Sequence, residues 1–149
     1  MRLADYLYAI SLTLWVGALW AIGYVAAPIL FRSIADHGLA GDIAEQQFAI
    51  VAWLGIGCSI YLLGYLFVRN GAAAFKQPSL WLTVLMLMLT LIGHFGVAPV
   101  VGSLRSEMAR SVIEEVVRSR FQTWHGIASV LWLVQSVLGI ALVTQNGKR

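Results

Sequence analysis

The sequence predicts an all-α fold, an integral membrane bundle of four transmembrane helices forming one domain over residues 1–149. Three observations predict it. Hydrophobic residues make up 60% of the chain and charged residues only 11%, against about a quarter charged in an ordinary soluble domain. The charges are also segregated: no Asp, Glu, Lys or Arg falls within 6–31, 46–68, 77–104 or 121–147. Each stretch exceeds the roughly 20 residues that cross about 30 Å of hydrocarbon. Finally, these stretches are apolar on every side rather than alternating with a period of two, and they outrun the roughly 10 residues of a barrel strand. A soluble chain of this size exposes too much surface to hide four such segments. Backbone amides away from water must pair within the segment, which a helix does alone.

The first helix is expected over about 4–31. Its apolar run is longer than the roughly 7–15 residues of a signal-peptide core. Asp5 interrupts the basic start, and Pro28 follows the only small-residue site, Val25-Ala26-Ala27, so the segment reads as retained. The second helix is expected over about 46–69, entered through 34–45 with Gly38 and Gly41 as breakers. Loop 70–77, opened by Asn70-Gly71, is tight, which makes helices two and three an antiparallel hairpin. The third helix is expected over about 78–101. Pro78 suits its first turn, where the missing N–H would be unpaired anyway. Pro28 and Pro99 fall in the last turns of helices one and three, where a proline kinks or ends a helix. Residues 103–120 set Leu104, Met108, Val112, Glu115 and Ser119 on helical spacings among interleaved Arg and Glu. That pattern reads as an amphipathic connector, lying at the interface or extending helix three. The fourth helix follows over about 122–144.

A weak internal repeat runs through this plan. Val25-Ala26-Ala27-Pro28 resembles Gly96-Val97-Ala98-Pro99, and each is followed by a charged connector and then a Phe, Phe48 or Phe121. Read as a duplication, this gives two parallel hairpin repeats related about the membrane normal; read locally, it is an Ala-Pro pair at two helix ends. Arg2, Arg69, Lys76, Lys148 and Arg149 share one side, and Arg32, Arg105, Arg110, Arg118 and Arg120 the other. The first group lies in short segments near helix ends, where the positive-inside bias acts. The second is mixed with carboxylates. Both termini are therefore expected in the cytoplasm.

The polar residues inside the spans bound the chemistry. No charged residue lies in any span, which argues against a proton-relay pump or a voltage sensor. Thr83, Thr90 and His94 share an arc of helix three, and His125, Ser129, Trp132 and Ser136 share one of helix four. The two histidines lie at similar depth, so His94, Thr90, His125 and Ser129 form the candidate cofactor- or ligand-binding set, with the identity of any metal or cofactor unknown. A divalent metal would need further ligands, and none of the usual Cys, His and carboxylate spacings is present. Haem would need both imidazoles across a wide gap. The alternative is that these groups bond to one another or to helix carbonyls as interhelical glue. Gln135, near mid-membrane, reads as a bond across a helix interface. Cys58, Tyr61 and Tyr65 share a face of helix two, and Met86 and Met88 lie on different faces of helix three; one thiol among these favours packing over a soft-metal path. Gly17-x-x-x-Ala21 and Gly55-x-x-x-Ser59 permit close helix approach, inside the bundle or between protomers. Trp15, Trp20, Trp53, Trp81 and Trp124 fit interfacial anchors. The lone Cys58 rules out an intrachain disulfide. A net charge of +3 without a dense basic cluster points to anionic lipid headgroups and not to nucleic acid. No nucleophile–base pair, phosphate loop or paired carboxylate occupies a span, so an enzyme is not expected.

Three segments together carry a resemblance. Trp15-Val16-Gly17-Ala18-Leu19-Trp20, Ala27-Pro28-Ile29-Leu30-Phe31 and Phe121-Gln122-Thr123-Trp124-His125-Gly126-Ile127 resemble the four-helix membrane family typified by transmembrane protein 205, a domain of unknown function (4149). The Trp-Val-Gly-Ala motif is also similar to one in the membrane domain of copper resistance protein D. The resemblance implies a bacterial inner-membrane location. Association of the eukaryotic relative with resistance to platinum drugs implies export or trafficking. Family members carry a Ser and an Asn in the turns after the helix-four His. Here Ala128 and Trp132 stand there, with Ser129 displaced by one residue, so an implied site reaches no further along helix four than His125.

Three functions are therefore expected candidates: handling or export of a solute or soft metal, alone or as a homo-oligomer; a haem- or metal-binding redox protein using His94 and His125; and a structural or accessory subunit of a membrane complex. All three require lipid around the four helices. The polypeptide is expected to stay with the membrane pellet through salt and alkaline washes and to need detergent for extraction; release by either wash alone would refute the bilayer assignment.

Overall fold

The computed structural model describes residues 3–108, 110 and 114–146. Four helices carry these residues: α1 (Leu3–Ser33), α2 (His37–Asn70), α3 (Pro78–Met108) and α4 (Glu114–Asn146). All four are long and apolar enough to cross a membrane. They stand in a ring in chain order, each packed against the next, with α4 closing on α1. The all-α bundle expected from the charge-free stretches is the observed architecture.

Helix boundaries extend beyond the expected ones where a polar residue or a neighbour permits it. α2 starts at His37 because Asp36 caps it, its carboxylate accepting from the Gly38 and Leu39 amides at 2.9 and 3.1 Å. Gly38 and Gly41, expected as breakers, lie inside the helix. Gly41 is buried where a Cβ would collide with the Arg105 guanidinium, so its smallness serves packing. Of the two forms expected for the connector over 103–120, the extension of helix three is the one found over 103–108, which complete α3; 114–120 begin α4, while 109 and 111–113 lie outside the described residues. Leu104 and Val117 there are 4% and 8% exposed, so protein rather than the lipid interface covers them. At the opposite end, Gly71 takes a positive φ of 53° and opens a 3-10 turn, Gly71–Lys76, that leads into Pro78 at the head of α3.

Pro28 and Pro99 do not end their helices. Each follows a six-residue π-helical segment, Ala21–Ala26 in α1 and Ile92–Val97 in α3, at the same register relative to its Ala-Pro pair. Proline has no N–H for the carbonyl four residues back and its ring crowds that carbonyl. The wider π turn relieves this: the Ala27 amide bonds Ile22 and the Ala98 amide bonds Gly93, each five residues back. The helices then continue to Ser33 and Met108. The two parallel hairpins thus share a backbone device as well as a sequence motif.

The core sits between α1 and α2 and spreads to α3 and α4. Trp15 is fully buried, not an interfacial anchor, and its indole lies against Gly55, where a Cβ would collide with it. The small residues Gly55 and Ser59 are thus used inside the bundle, whereas Gly17 and Ala21 face outward. Met86 is buried and Met88 exposed, as their spacing implies. Polar clasps close both ends. Asp5 pairs with Arg69 at 2.6 Å and accepts from the Tyr65 hydroxyl, tying α1 to α2. Arg105 pairs with Glu45, and with Asp42 at 3.6 Å, tying α3 to α2. Gly55→Leu is expected to overpack the indole and lower stability by about 1–3 kcal/mol, read as an earlier midpoint in a denaturing-detergent titration, while Gly17→Leu, with open space at its Cα, leaves the midpoint in place.

Candidate functional site

Thr90, Gln135, Ser136 and Ser59 are buried near the middle of the spans, whereas Ser79 and Thr83 are buried nearer the head of α3. Thr90 lies at the centre of the charge-free stretch 77–104 and Gln135 near the centre of 121–147. They meet across the α3–α4 interface: the Gln135 amide donates to the Thr90 hydroxyl at 2.6 Å, with the residues 5% and 6% exposed. This is the interface bond expected of Gln135. Its direction follows from chemistry. The Thr90 hydroxyl donates its one hydrogen to the Met86 carbonyl at 2.9 Å, so toward Gln135 it can only accept. The amide nitrogen must face Thr90, and the amide oxygen points elsewhere, with no hydrogen-bond partner among the described residues.

One residue further on, Ser136 repeats the arrangement toward α1. Its hydroxyl donates to the Trp132 carbonyl at 2.8 Å and accepts from the Tyr24 hydroxyl at 3.1 Å. Trp132 in turn donates its indole N–H to the Leu19 carbonyl at 3.2 Å and packs on Gly23, where a Cβ would strike the ring. α4 therefore holds α1 at three points, two within the π segment (Gly23 and Tyr24) and one just before it (Leu19). The π segment also leaves carbonyls short of donors. The amide four residues after Gly23 belongs to Ala27 and bonds Ile22, and the position four after Tyr24 is Pro28. The His94 and Phe95 carbonyls of α3 stand in the same relation to Ala98 and Pro99.

Of the candidate set, only Thr90 belongs to this centre. His94 is half-buried in the π segment of α3 and sets its ring edge-on to Trp53 of α2 at 5.4 Å. His125 is exposed and stacks on Phe121 at 5.6 Å, and exposed Ser129 donates to the His125 carbonyl at 2.9 Å. The structure does not bring the two imidazoles onto a common partner, so a haem ligated by both would have to break both ring contacts. Among the described residues, no group of three or more His, Cys, Asp and Glu side chains is placed to hold a metal ion. His125, Ser129, Trp132 and Ser136 share one arc of α4, but only Trp132 and Ser136 are covered by a neighbouring helix, and His125 and Ser129 are exposed. Tyr24 escaped the sequence reading; its signal was its place four residues before Pro28, where a freed carbonyl and a bent helix call for neighbours.

The donors at the centre are an amide, hydroxyls, a phenol and an indole, all uncharged. Such a set exchanges hydrogen bonds with a neutral polar molecule and offers neither a formal charge nor a soft ligand. In a double-mutant cycle, Thr90→Val and Gln135→Leu are expected to couple by about 0.6–1.7 kcal/mol, the range of interhelical hydrogen bonds in bilayers; additive effects on the unfolding midpoint would show that the two side chains do not act together.

Comparison with known proteins returns one family model, described as Domain of unknown function (DUF4149), matched over residues 10–110. No curated protein and no solved structure matches. The matched stretch covers α1, α2 and α3 with both π-proline segments, and on that evidence the chain belongs to the DUF4149 family.

Proposed function

We propose that this protein is a non-enzymatic, multi-pass protein of the bacterial inner membrane, with both termini cytoplasmic, that binds and passes a small uncharged polar solute at mid-membrane. The observation that carries the reading is the oriented Gln135 amide. Intramembrane polar groups are costly and become functional candidates by default. Here the relay through Thr90 to Met86 uses one amide hydrogen and leaves the amide oxygen without a donor among the described residues. Two features support movement of a solute past this point. Transporter sites in repeat folds lie near the midplane, beside helices whose regular pairing is interrupted. In this chain both interrupted helices carry their π segments on the same side of the centre. The uncharged donor set favours a neutral solute over the soft metal that the resemblance also admits. Four helices enclose little volume, which favours a homo-oligomer or a partner subunit for the complete path.

The full chain in phosphatidylcholine vesicles is expected to raise the permeability to urea or glycerol, read by stopped-flow light scattering, above that of protein-free vesicles. Gln135→Leu should remove about tenfold of that increment, the effect of about 1.4 kcal/mol, within the range of leaving one polar partner unpaired. Equal permeability of wild-type and protein-free vesicles to both solutes would defeat the proposal. Tolerance of cells to copper, silver and platinum compounds should not depend on the gene; a dependence would favour the metal reading.

A further inference from the structure

α4 follows α3 along its length but parts from α1. At 3.6 residues per turn, Val117 and Gln135 point the same way, toward α3, and both are buried, at 8% and 5% exposed. A second stripe of α4 faces α1: Ser136, Trp132, Ser129, His125 and Arg118. Along it Ser136 is fully buried, Trp132 is half-buried, and Ser129, His125 and Arg118 are exposed. This exposure does not come from running past the end of the bundle, because Val117 is still covered beyond His125. It comes from α1, which after its π segment, over Ala27–Ser33, packs on α2 rather than α4. The exposure pattern thus marks a wedge between the two helices on the outer flank of the bundle, bounded inward by the Trp132 indole, on which the Phe48 ring of α2 sits edge-on at 4.7 Å.

We infer that this wedge between α1 and α4 is a binding site for one anionic phospholipid, its phosphate at Arg118, its ester region at Gln122 and His125, and its acyl chain against Trp132. The order of chemistry along the stripe is that of the lipid: a cation, then an amide and an imidazole, then an indole. The length also matches. From Arg118 to Trp132 the helix rises about 21 Å, and one leaflet with its headgroups is about 20–22 Å thick. Arg118 has no ion pair and the His125 imidazole no hydrogen bond among the described residues. Both are thus open to the phosphate and the ester oxygens. A second copy of the chain suits the stripe less well, since a two-fold contact between parallel α4 helices would set Arg118 against Arg118.

The test uses the full-length protein, delipidated in a neutral maltoside detergent and titrated with phosphatidylglycerol or phosphatidylcholine, with retained lipid counted by native mass spectrometry. One phosphatidylglycerol should be held in preference to phosphatidylcholine. Arg118→Gln should weaken that retention roughly fivefold, as for loss of one cation at an anionic headgroup. Arg120→Gln, exposed on the far side of α4, should not change it. Ser129→Phe keeps the charges but fills the wedge, and should release the lipid; if that variant does not fold, Arg118→Gln against Arg120→Gln decides. Equal retention of the two lipids, equal losses in the two arginine variants, or crosslinking of two copies through His125→Cys in membranes would each overturn the assignment.

Discussion

Hydrocarbon supplies no hydrogen-bond partner, and the remaining structure depends on that constraint. Backbone and side-chain polar groups within the spans therefore pair inside the protein wherever they can, the buried Trp15 indole N–H and the Gln135 amide oxygen being exceptions among the described residues. Pro28 and Pro99 are the sharpest case, since each removes a donor from the middle of a continuous helix. The chain meets this with a π segment just ahead of each proline. In α1 it adds an indole and a hydroxyl from α4, those of Trp132 and Ser136, the second meeting the Tyr24 hydroxyl of α1. The helices are bent and held rather than broken.

The same constraint gives the interior its direction. A hydroxyl has one hydrogen, so a buried Thr or Ser that donates to its own helix can only accept from a neighbour. Thr90 and Ser136 both do so, which sets Gln135 and Tyr24 as donors and determines which end of the Gln135 amide faces the protein. Two relays that begin one residue apart on α4 pin it to α3 and to α1 at the same depth. This mid-membrane joint ties α4 to both neighbours, and beyond it the α1-facing stripe of α4 becomes exposed while Val117 stays covered. Proposed solute site and proposed lipid site are therefore two consequences of one joint, the first at its polar centre and the second in the gap it leaves.

At the ends, charge takes over from packing. The Asp5–Arg69 and Arg105–Glu45 clasps join α2 to α1 at one face and to α3 at the other. Exposed pairs of this kind add little stability singly, and Arg69 is 59% exposed. Their effect is on register. Each matches a residue at the edge of one charge-free stretch with a residue at the edge of the next, so the apolar lengths of neighbouring helices are aligned.

The sequence by itself determined the four spans, their antiparallel order, the start of α3 at Pro78 and the closeness of helices at Gly55. It could do so because these depend on lipid solvation and local backbone chemistry, which act residue by residue. It also marked Gln135 as bonded across a helix interface, because an amide at that depth is costly to leave unpaired; that it donates there came from the structure. Only the tertiary structure decided that Trp15 is core, that α2 reaches back to His37, and that His94 and His125 turn to different neighbours. Helical periodicity assigns each side chain an angle, but whether that angle meets a helix depends on how far apart two axes stand at that depth. Along one stripe of α4 the answer changes from buried Ser136 to exposed His125, and the change goes with the far end of α1, Ala27–Ser33, which packs on α2.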